Sequence, residues 1–275
     1  QGVQNTLRVL DAAGAGPIAV AAGAHRPLLE APQHAAAIHG ADGLADLGMP
    51  PSARTPEPVH AVELLRRTLV ESTEPVTVIS LAPLTNIALL LRTHPEVRDR
   101  IARIVMMGGA VGTGNATAAA EFNVWHDPEA AAIVLGDGLE VLMYGLEPFY
   151  RVSVTHADVE RLRAAADPAP RLAGALLTHL IGIDATEERV ADDRVAIGDA
   201  GAVCAAIDAS PLVTRRAPVE VALAPGATRG QTVVDLRTME GADISATRPV
   251  PPATVVLDAD PEPYRRLFLE ALLGA

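Results

Sequence analysis

The sequence predicts an α/β fold in which a mostly parallel sheet is covered by helices on both faces. Short, continuous apolar segments alternate along the chain with segments of helical periodicity, and 49% of the 275 residues are hydrophobic. Strands of a parallel sheet are buried on both faces, so they consist of unbroken apolar runs. This hydrophobic fraction easily supplies a core of ordinary size, which excludes an intrinsically disordered chain.

The first half of the chain contains most of the predicted parallel strands. Helices are predicted where apolar residues recur at helical spacing, and strands where β-branched and other apolar residues cluster. In chain order we predict an amphipathic start (6–12), a strand (17–22), a loop (23–58), a helix (60–70), a strand (76–81), a helix (85–93) and a strand (104–107). Another helix begins at Asp127-Pro-Glu129, since Asp is a good N-cap and Pro suits the first helical position.

The second half continues this alternation and adds an antiparallel pair. The predicted elements are a strand (139–144), helices (155–167 and 170–183), an alanine-rich helix (199–209), strands (219–223, 231–236 and 254–258) and a closing helix from Asp260 to Leu273. Pro225, Gly226 and Gly230 separate the strands at 219–223 and 231–236. These turn residues predict that the two strands pair antiparallel.

The charge balance restricts the class of partner. Arg residues total 22, Lys is absent, and Asp and Glu total 34, which gives a net charge of −12. Nucleic acids and anionic membranes bind basic surfaces, so neither is expected as a partner. No apolar run reaches the ~20 residues of a membrane span, and no secretory signal is recognisable, so we expect a cytoplasmic protein. The acidic balance is compatible with a neutral or cationic ligand, or with a bound divalent metal.

The loop after the strand at 104–107 carries the most informative polar residues. Ligands of parallel sheets bind at the carboxyl ends of the strands, and this loop contains Asn115, Glu121, Phe122 and Asn123. Two amides, a carboxylate and an aromatic face suit a sugar. Two alternatives stay open. The glycines of the loop could cradle a phosphate, although no helix or Lys follows directly, and the polar side chains could serve the loop's own backbone.

Other strand ends contain oxygen atoms that could bind a hard cation. Asp199 begins the alanine-rich helix, main-chain carbonyls follow the strand that ends at Leu81, and His39 lies on a glycine-rich loop with Asp42. Calcium takes six to eight oxygen ligands, so one carboxylate and one carbonyl fall short of a complete site. We expect Asp199 to lie in the same pocket as Asn115, Glu121 and Asn123.

In these motifs the chain resembles the calcium-dependent nucleoside hydrolases, and the resemblance extends over essentially all of its length. The most specific match is Met106–Ala130, and further matches are 39–43, 82–88, 145–147 and 228–235. The resemblance implies a single domain over 1–275 that hydrolyses the N-glycosidic bond of ribonucleosides to ribose and free base. It also implies a calcium cofactor, a calcium-bound water as the nucleophile, an oxocarbenium-like transition state, a small-molecule ribonucleoside as partner, and a homo-oligomer (dimer or tetramer).

The resemblance also assigns roles to four residues around the sugar. Asn115 and Glu121 match the positions that hold the ribose 5′-hydroxyl. Asn123 matches the residue that bonds the lower hydroxyls of the ring, and Phe122 matches the one beside the sugar.

Three further residues match the metal site and the edge of the pocket. Asp199 matches the carboxylate that ligates calcium and orients the ribose 3′-hydroxyl. Leu81 stands where the family supplies a calcium ligand through its main-chain carbonyl, and His39 matches a loop residue at the pocket's edge.

The chain departs from the family pattern in two places. The family begins with a loop of pattern D-x-D-x-x-x-D-D, which provides most calcium ligands and the catalytic base. This chain starts at Gln1 without that loop, so we expect an N-terminally incomplete copy that has no catalytic base of its own and is inactive by itself. Gly198 stands where many members carry a His that helps to protonate the departing base, and a positive φ at Gly198 would strain any side chain there.

Three hypotheses therefore remain open. The protein is a ribonucleoside hydrolase of which this chain is an incomplete copy, a catalytically inactive relative that binds ribose or nucleosides, or an enzyme of related chemistry acting on another N-glycoside.

Overall fold

A computed structural model describes residues 1–184, 190–237 and 250–274 of the chain. The strands are β1 (Ala21–Ala22), β2 (Glu57–His60), β3 (Val76–Ser80), β4 (Ile101–Met107), β5 (Val141–Tyr144), β6 (Ser153–Thr155), β7 (Arg194–Ala196), β8 (Leu212–Val221), β9 (Thr232–Val234) and β10 (Pro252–Ala259). The α-helices are α1 (Gly2–Ala12), α2 (Ala36–His39), α3 (Ala61–Glu71), α4 (Thr85–Thr93), α5 (Phe122–His126), α6 (Pro128–Leu135), α7 (Leu146–Arg151), α8 (His156–Arg163), α9 (Pro168–Asp184), α10 (Asp199–Ile207) and α11 (Pro261–Leu273). A 3₁₀ helix spans Pro95–Arg100.

The main sheet is mostly parallel, as predicted. Its order within the described residues is β3-β4-β5-β10-β8-β9. The first four of these strands are parallel to one another, whereas β8 is antiparallel to β10 and β9 is antiparallel to β8. The predicted α/β fold is therefore confirmed, and so is the antiparallel pair near residues 219–236.

The core lies on both faces of this sheet. Along β4, Ile104 and Met106 belong to one hydrophobic cluster, and Val105 and Met107 belong to the other. Because successive side chains of a strand point to opposite faces, a strand covered on both sides is apolar throughout. Helices α3, α4 and α6 cover the first face, and α8, α10 and α11 cover the second.

Several predicted boundaries are wrong. The strand predicted at 17–22 is reduced to β1, which pairs with β2. Strand β2 runs from the end of the predicted loop into the first residue of the predicted helix, His60. Strand β8 begins at Leu212 rather than at residue 219, because its ladder with β10 includes the polar residues Arg215 and Arg216. The short helices α5 and α7 also lie in segments for which no helix was predicted.

A buried ion pair joins α8 to α11 on the second face of the sheet. Both carboxylate oxygens of Asp158 accept hydrogen bonds from Arg265 at 2.7 Å, and Thr155 donates its hydroxyl to the same carboxylate at 2.7 Å. Burial raises the pKa of Asp158, but the hydrogen bonds from Arg265 and Thr155 lower it by more, to about 2. This carboxylate is therefore charged at every physiological pH.

The parallel strands place three loops at one edge of the sheet. These loops begin after β3 at Leu81, after β4 at Gly108 and after β5 at Gly145. Parallel strands present their carboxyl ends at the same edge, so the predicted site residues on these loops share one side of the molecule. Within the described ranges, no helix has the length and apolar character needed to cross a membrane.

Candidate active site

Glu121 is the buried centre of the loop after β4. It is 2% exposed and is the N-cap of α5, where its carboxylate accepts from the amides of Asn123 at 2.9 Å and Val124 at 3.2 Å. The amide of Gly109, two residues beyond the end of β4, donates to the same carboxylate at 2.9 Å. A carboxylate can do the work of the shorter N-cap side chains, because its oxygens satisfy amides that the helix leaves free. Glu121 thereby connects the end of β4 to the start of α5.

Glu121 and Asp199 both have raised pKa values. Burial raises the pKa of Glu121 to about 7, against the lowering effect of the three amide hydrogen bonds, and the charge of Asp199 raises it further. Burial raises the pKa of Asp199 to about 6. Asp199 is exposed although many protein atoms lie around its carboxylate.

Asn115 and Asn123 lie on either side of Glu121 along the loop. The side-chain oxygen of Asn115 accepts from the amide of Phe122 at 2.9 Å, and the side-chain nitrogen of Asn123 donates to the carbonyl of Met107 at 3.0 Å. Both residues therefore serve the loop's own backbone, as one of the two alternatives predicted. Among the described residues, however, the Nδ2 of Asn115 and the Oδ1 of Asn123 have no hydrogen-bond partner. The loop thus keeps one donor and one acceptor for a ligand.

Phe122 begins α5 and contacts two other aromatic rings. Its ring centroid lies 6.0 Å from that of Trp125 and 5.6 Å from that of His126. All three side chains are half-buried, and burial lowers the pKa of His126. The sequence prediction of an aromatic face beside the polar residues is compatible with this placement.

Asp199 is placed by a glycine. Gly198 precedes it as the N-cap of α10 and has a φ of 55°, so the positive φ considered from the sequence is present. A Cβ atom at this position would lie 3.0 Å from two ring atoms of Phe149. A His at position 198 would therefore have a strained backbone and would have to displace Phe149. The ring of Phe149 occupies the space that a side chain of residue 198 would need.

His39 and Leu81 are not bonded to the loop after β4. No hydrogen bond between described residues connects either of them to Asn115, Glu121 or Asn123. His39 ends α2, where burial lowers its pKa and the charge of His179 on α9 lowers it further. The carbonyl of Ile38 is 2.9 Å from His179 Nε2, so the contact between Ile38 and His179 attaches α2 to α9.

The glycine-rich loop has no free amides for a phosphate cradle at residues 109–112. Gly109 donates to Glu121, and Ala110 donates to the hydroxyl of Thr232 at 2.9 Å. Val111 and Gly112 both donate to one oxygen of Glu147, at 2.8 and 2.9 Å. Sequence reasoning missed Thr232 and Glu147. Both belong to segments that carry the family resemblance, and this was the only signal that could have drawn attention to them.

The donor set for a calcium ion is only partly present in the described residues. They contain no group of three or more His, Cys, Asp or Glu residues that could hold a metal. Asp199 has no hydrogen-bond or ion-pair partner among them, and burial raises its pKa, so a nearby cation would stabilise its charged form. One carboxylate and one main-chain carbonyl do not fill a shell of six to eight oxygens, so these residues alone do not fit the ion.

Comparison with known proteins gives matches over nearly the whole chain. Residues 1–266 match the sequence profile of the inosine-uridine preferring nucleoside hydrolases. The pyrimidine-specific ribonucleoside hydrolase RihA of Salmonella arizonae is 38% identical over 270 residues, which cover 98% of this chain and 84% of that protein. Among solved structures, the plant nucleoside hydrolase PpNRh1 has a TM-score of 0.89 at 28% identity and covers 99% of this chain and 86% of its own. The purine-preferring ribonucleoside hydrolase from Gardnerella vaginalis has a TM-score of 0.88 at 27% identity, covering 99% and 85%.

Proposed function

Because the chain belongs to the inosine-uridine preferring nucleoside hydrolase family, whose members cleave the N-glycosidic bond of ribonucleosides, we propose that Asn115, Glu121, Asn123 and Asp199 hold the ribose of its substrate. The observation that carries this proposal is geometric, since hydrogen bonds within the loop after β4 hold Asn115, Glu121 and Asn123 next to one another. The charge of Asp199 supports it, because it adds to the raised pKa of Glu121, although less than burial does. The substrate is a small-molecule ribonucleoside.

Each of these residues has a polar atom suited to a hydroxyl group of the sugar. The Nδ2 of Asn115 donates to the 5′-hydroxyl, and the Glu121 carboxylate accepts from it, since three amides occupy only part of its acceptor capacity. The Oδ1 of Asn123 accepts from the lower hydroxyls, and Asp199 accepts from the 3′-hydroxyl. Phe122 packs beside the ring. Together these contacts fix the sugar at both ends and so orient the anomeric carbon.

The two carboxylates also suit the charge that develops during the reaction. Cleavage of an N-glycosidic bond proceeds through an oxocarbenium-like sugar, which carries positive charge. With a pKa of about 6, Asp199 is mostly ionised at neutral pH, and Glu121, with a pKa of about 7, is ionised in part. The attraction between the carboxylates and the sugar becomes stronger as that positive charge grows. It therefore stabilises the transition state more than the ground state.

We also propose calcium as the cofactor, with Asp199 and the main-chain carbonyl of Leu81 as two of its ligands. The proposal rests on the family and on the unpaired carboxylate of Asp199. When bound, the ion would supply an activated water for attack on the sugar. The described residues provide only two of the six to eight oxygen ligands that calcium takes.

The curated relative indicates which base to test first. RihA is pyrimidine-specific and is 38% identical to this chain, whereas the purine-preferring structural relative is 27% identical. We therefore propose a pyrimidine ribonucleoside, such as uridine, as the preferred substrate. A single catalytic domain, a dimeric or tetrameric assembly and a cytoplasmic location are proposed on the family resemblance.

Asp199→Asn in the full-length enzyme tests the ribose-binding proposal. The substitution keeps the shape and removes the charge, so kcat/KM for uridine should fall roughly 10²–10³-fold. Asp208→Asn is the matched control, because Asp208 lies at the other end of α10 and its side chain only caps Ser210. Release of ribose is the readout for both variants. Equal activity of Asp199→Asn and the control would refute the assignment, and a wild-type enzyme that binds uridine without releasing ribose would be the non-catalytic relative.

A further inference from the structure

Four consecutive amides of the glycine-rich loop are each bonded to a side chain. Those of Gly109, Ala110 and Val111 donate to Glu121, Thr232 and Glu147 respectively, and that of Gly112 donates to Glu147 as well. The three acceptors come from three different elements, namely the start of α5, strand β9 and helix α7. The loop is therefore fixed from outside at each residue from 109 to 112.

Glu147 is the last of these attachments before Asn115. Only Thr113 and Gly114 separate Gly112 from Asn115 along the chain. Gly114 is packed so closely against Ala120 that a Cβ atom would lie 2.3 Å from the Ala120 carbonyl oxygen, and the amide of Asn115 donates to this oxygen at 3.2 Å. The segment that presents Asn115 is thus held at one end by Glu147 and at the other by Ala120.

The two oxygens of Glu147 have different surroundings. Oε1 accepts both loop amides, whereas Oε2 is buried and has no hydrogen-bond partner among the described residues. Glu147 also lines a cleft of about 310 Å³ together with Thr113, Leu146, Tyr150 and Arg151. A buried carboxylate oxygen without a partner is a cost to folding. Glu147 is therefore poorly explained as a residue that serves stability alone.

We propose that Glu147 is a positioning residue for the 5′-hydroxyl grip formed by Asn115 and Glu121. Its Oε1 fixes Val111 and Gly112, and the fixed loop in turn presents the Nδ2 of Asn115 toward the sugar. Helix α7 reinforces this contact, since the amide of Leu146 donates to the carbonyl of Gly109 at 3.0 Å. The inference rests on the proposed ribose-binding roles of Asn115 and Glu121.

The test compares uridine with 5′-deoxyuridine in the full-length enzyme. The ratio of kcat/KM for these substrates measures how strongly the 5′-hydroxyl is held. Glu147→Leu removes the acceptor, so the ratio should fall about 10-fold, which corresponds to one ordinary hydrogen bond. Glu147→Gln keeps an acceptor oxygen at the same place and should hold the ratio within about 3-fold of wild type. A substitution that only weakens the fold lowers kcat/KM for both substrates alike and leaves the ratio unchanged.

Two further variants complete the experiment. Glu160→Leu makes the same change at an exposed position of α8, where Glu160 pairs only with Arg163, and its ratio should equal that of wild type. Glu147→Met preserves the length and flexibility of the side chain, and it replaces Glu147→Leu if that variant does not fold. A wild-type ratio near one would overturn both the 5′-hydroxyl role of Asn115 and Glu121 and the role of Glu147. A large wild-type ratio that survives in Glu147→Leu or Glu147→Met would overturn the role of Glu147 alone.

Discussion

Asp158 and Glu121 each have only 2% of their surface exposed, yet their pKa values are shifted in opposite directions. The pKa of Asp158 is lowered to about 2, and that of Glu121 is raised to about 7. Burial raises the pKa in both cases. The difference lies in the partners and in the depth of burial. Asp158 lies nearer the surface and binds the guanidinium of Arg265, whereas Glu121 is surrounded more completely by protein atoms and accepts only from backbone amides.

This contrast separates a carboxylate that stabilises the fold from one that is available for function. A guanidinium pair compensates a buried charge and fixes its ionised form. Backbone amides orient Glu121 but carry no full charge, so no cation among the described residues holds it in the ionised form. Perturbed carboxylates without a cationic partner are typical of functional sites, and Glu121 and Asp199 fit that description.

Removing the guanidinium of Arg265, which pairs with Asp158, should have the largest effect on stability. Arg265→Leu leaves a buried carboxylate with weaker partners and should lower the free energy of unfolding at pH 7 by about 3 kcal/mol, while Thr155 and Arg161 limit the loss. Urea unfolding measures this change. Arg163→Leu is the control, since it breaks an exposed pair with Glu160 and should cost less than about 1 kcal/mol. Equal losses in the two variants would show that Asp158 does not depend on Arg265.

The dependence of stability on pH should also have opposite signs at the two carboxyl groups. Glu121 has a folded-state pKa of about 7 against an ordinary 4.5, so its contribution to stability is present below pH 4.5 and is lost as the pH rises toward 7. Asp158 has a folded-state pKa of about 2 against 3.8, so its contribution is present above pH 3.8 and is lost as the pH falls toward 2.

Unfolding of Glu121→Gln and Asp158→Asn over a pH series, in the presence of a calcium chelator, measures both dependences. The free energy of unfolding of Glu121→Gln, measured relative to that of wild type, should rise by on the order of 2 kcal/mol between pH 4.5 and pH 7. Asp158→Asn should be less stable than wild type at neutral pH, and this difference in the free energy of unfolding should shrink only below pH 3.8. A constant difference between Glu121→Gln and wild type over the neutral range would contradict the raised pKa of Glu121.

The smallest change in stability is expected from a substitution of Gly198, which precedes Asp199. Gly198→Ala forces a side chain into a backbone with a φ of 55° and against the ring of Phe149, and should cost about 1–2 kcal/mol. Gly182→Ala, in α9 with open space around it, should instead be neutral or stabilise slightly. Thermal unfolding compares the two variants. If Gly198→Ala is as stable as Gly182→Ala, then the backbone at residue 198 does not require glycine.

The sequence was sufficient to predict the sheet and the loop that carries the candidate site. Unbroken apolar runs such as 104–107 predict parallel strands, and position after such a run predicts the edge at which Asn115, Glu121 and Asn123 lie. The first half of β8 was missed because its residues are polar and only the ladder with β10 makes it a strand. Helix α5 was missed because it has five residues and a Glu N-cap, which is not among the preferred capping residues.

The parts of the site that were not predicted depend on long-range contacts. Thr232 bonds Ala110 across 122 residues of sequence, and Glu147 bonds Val111 across 36. Neither contact produces a periodicity or a local motif, because a single hydroxyl or carboxylate that meets a backbone amide leaves no pattern in its own neighbourhood. The effect of the Asp199 charge on the pKa of Glu121 has the same character, since it depends on how α10 packs against β3 and β4.

The attachment of the glycine-rich loop to Thr232 also determines when the pocket can form during folding. Strands β3 to β5 pair through contacts between neighbouring parts of the sequence, but the loop that follows β4 is not fixed until β9, more than a hundred residues later, has paired with β8. Loops closed over long stretches of chain form slowly. The loop that carries the candidate site is therefore fixed only when the strands β8, β9 and β10 of the carboxyl-terminal part, which also complete the core, have joined the sheet.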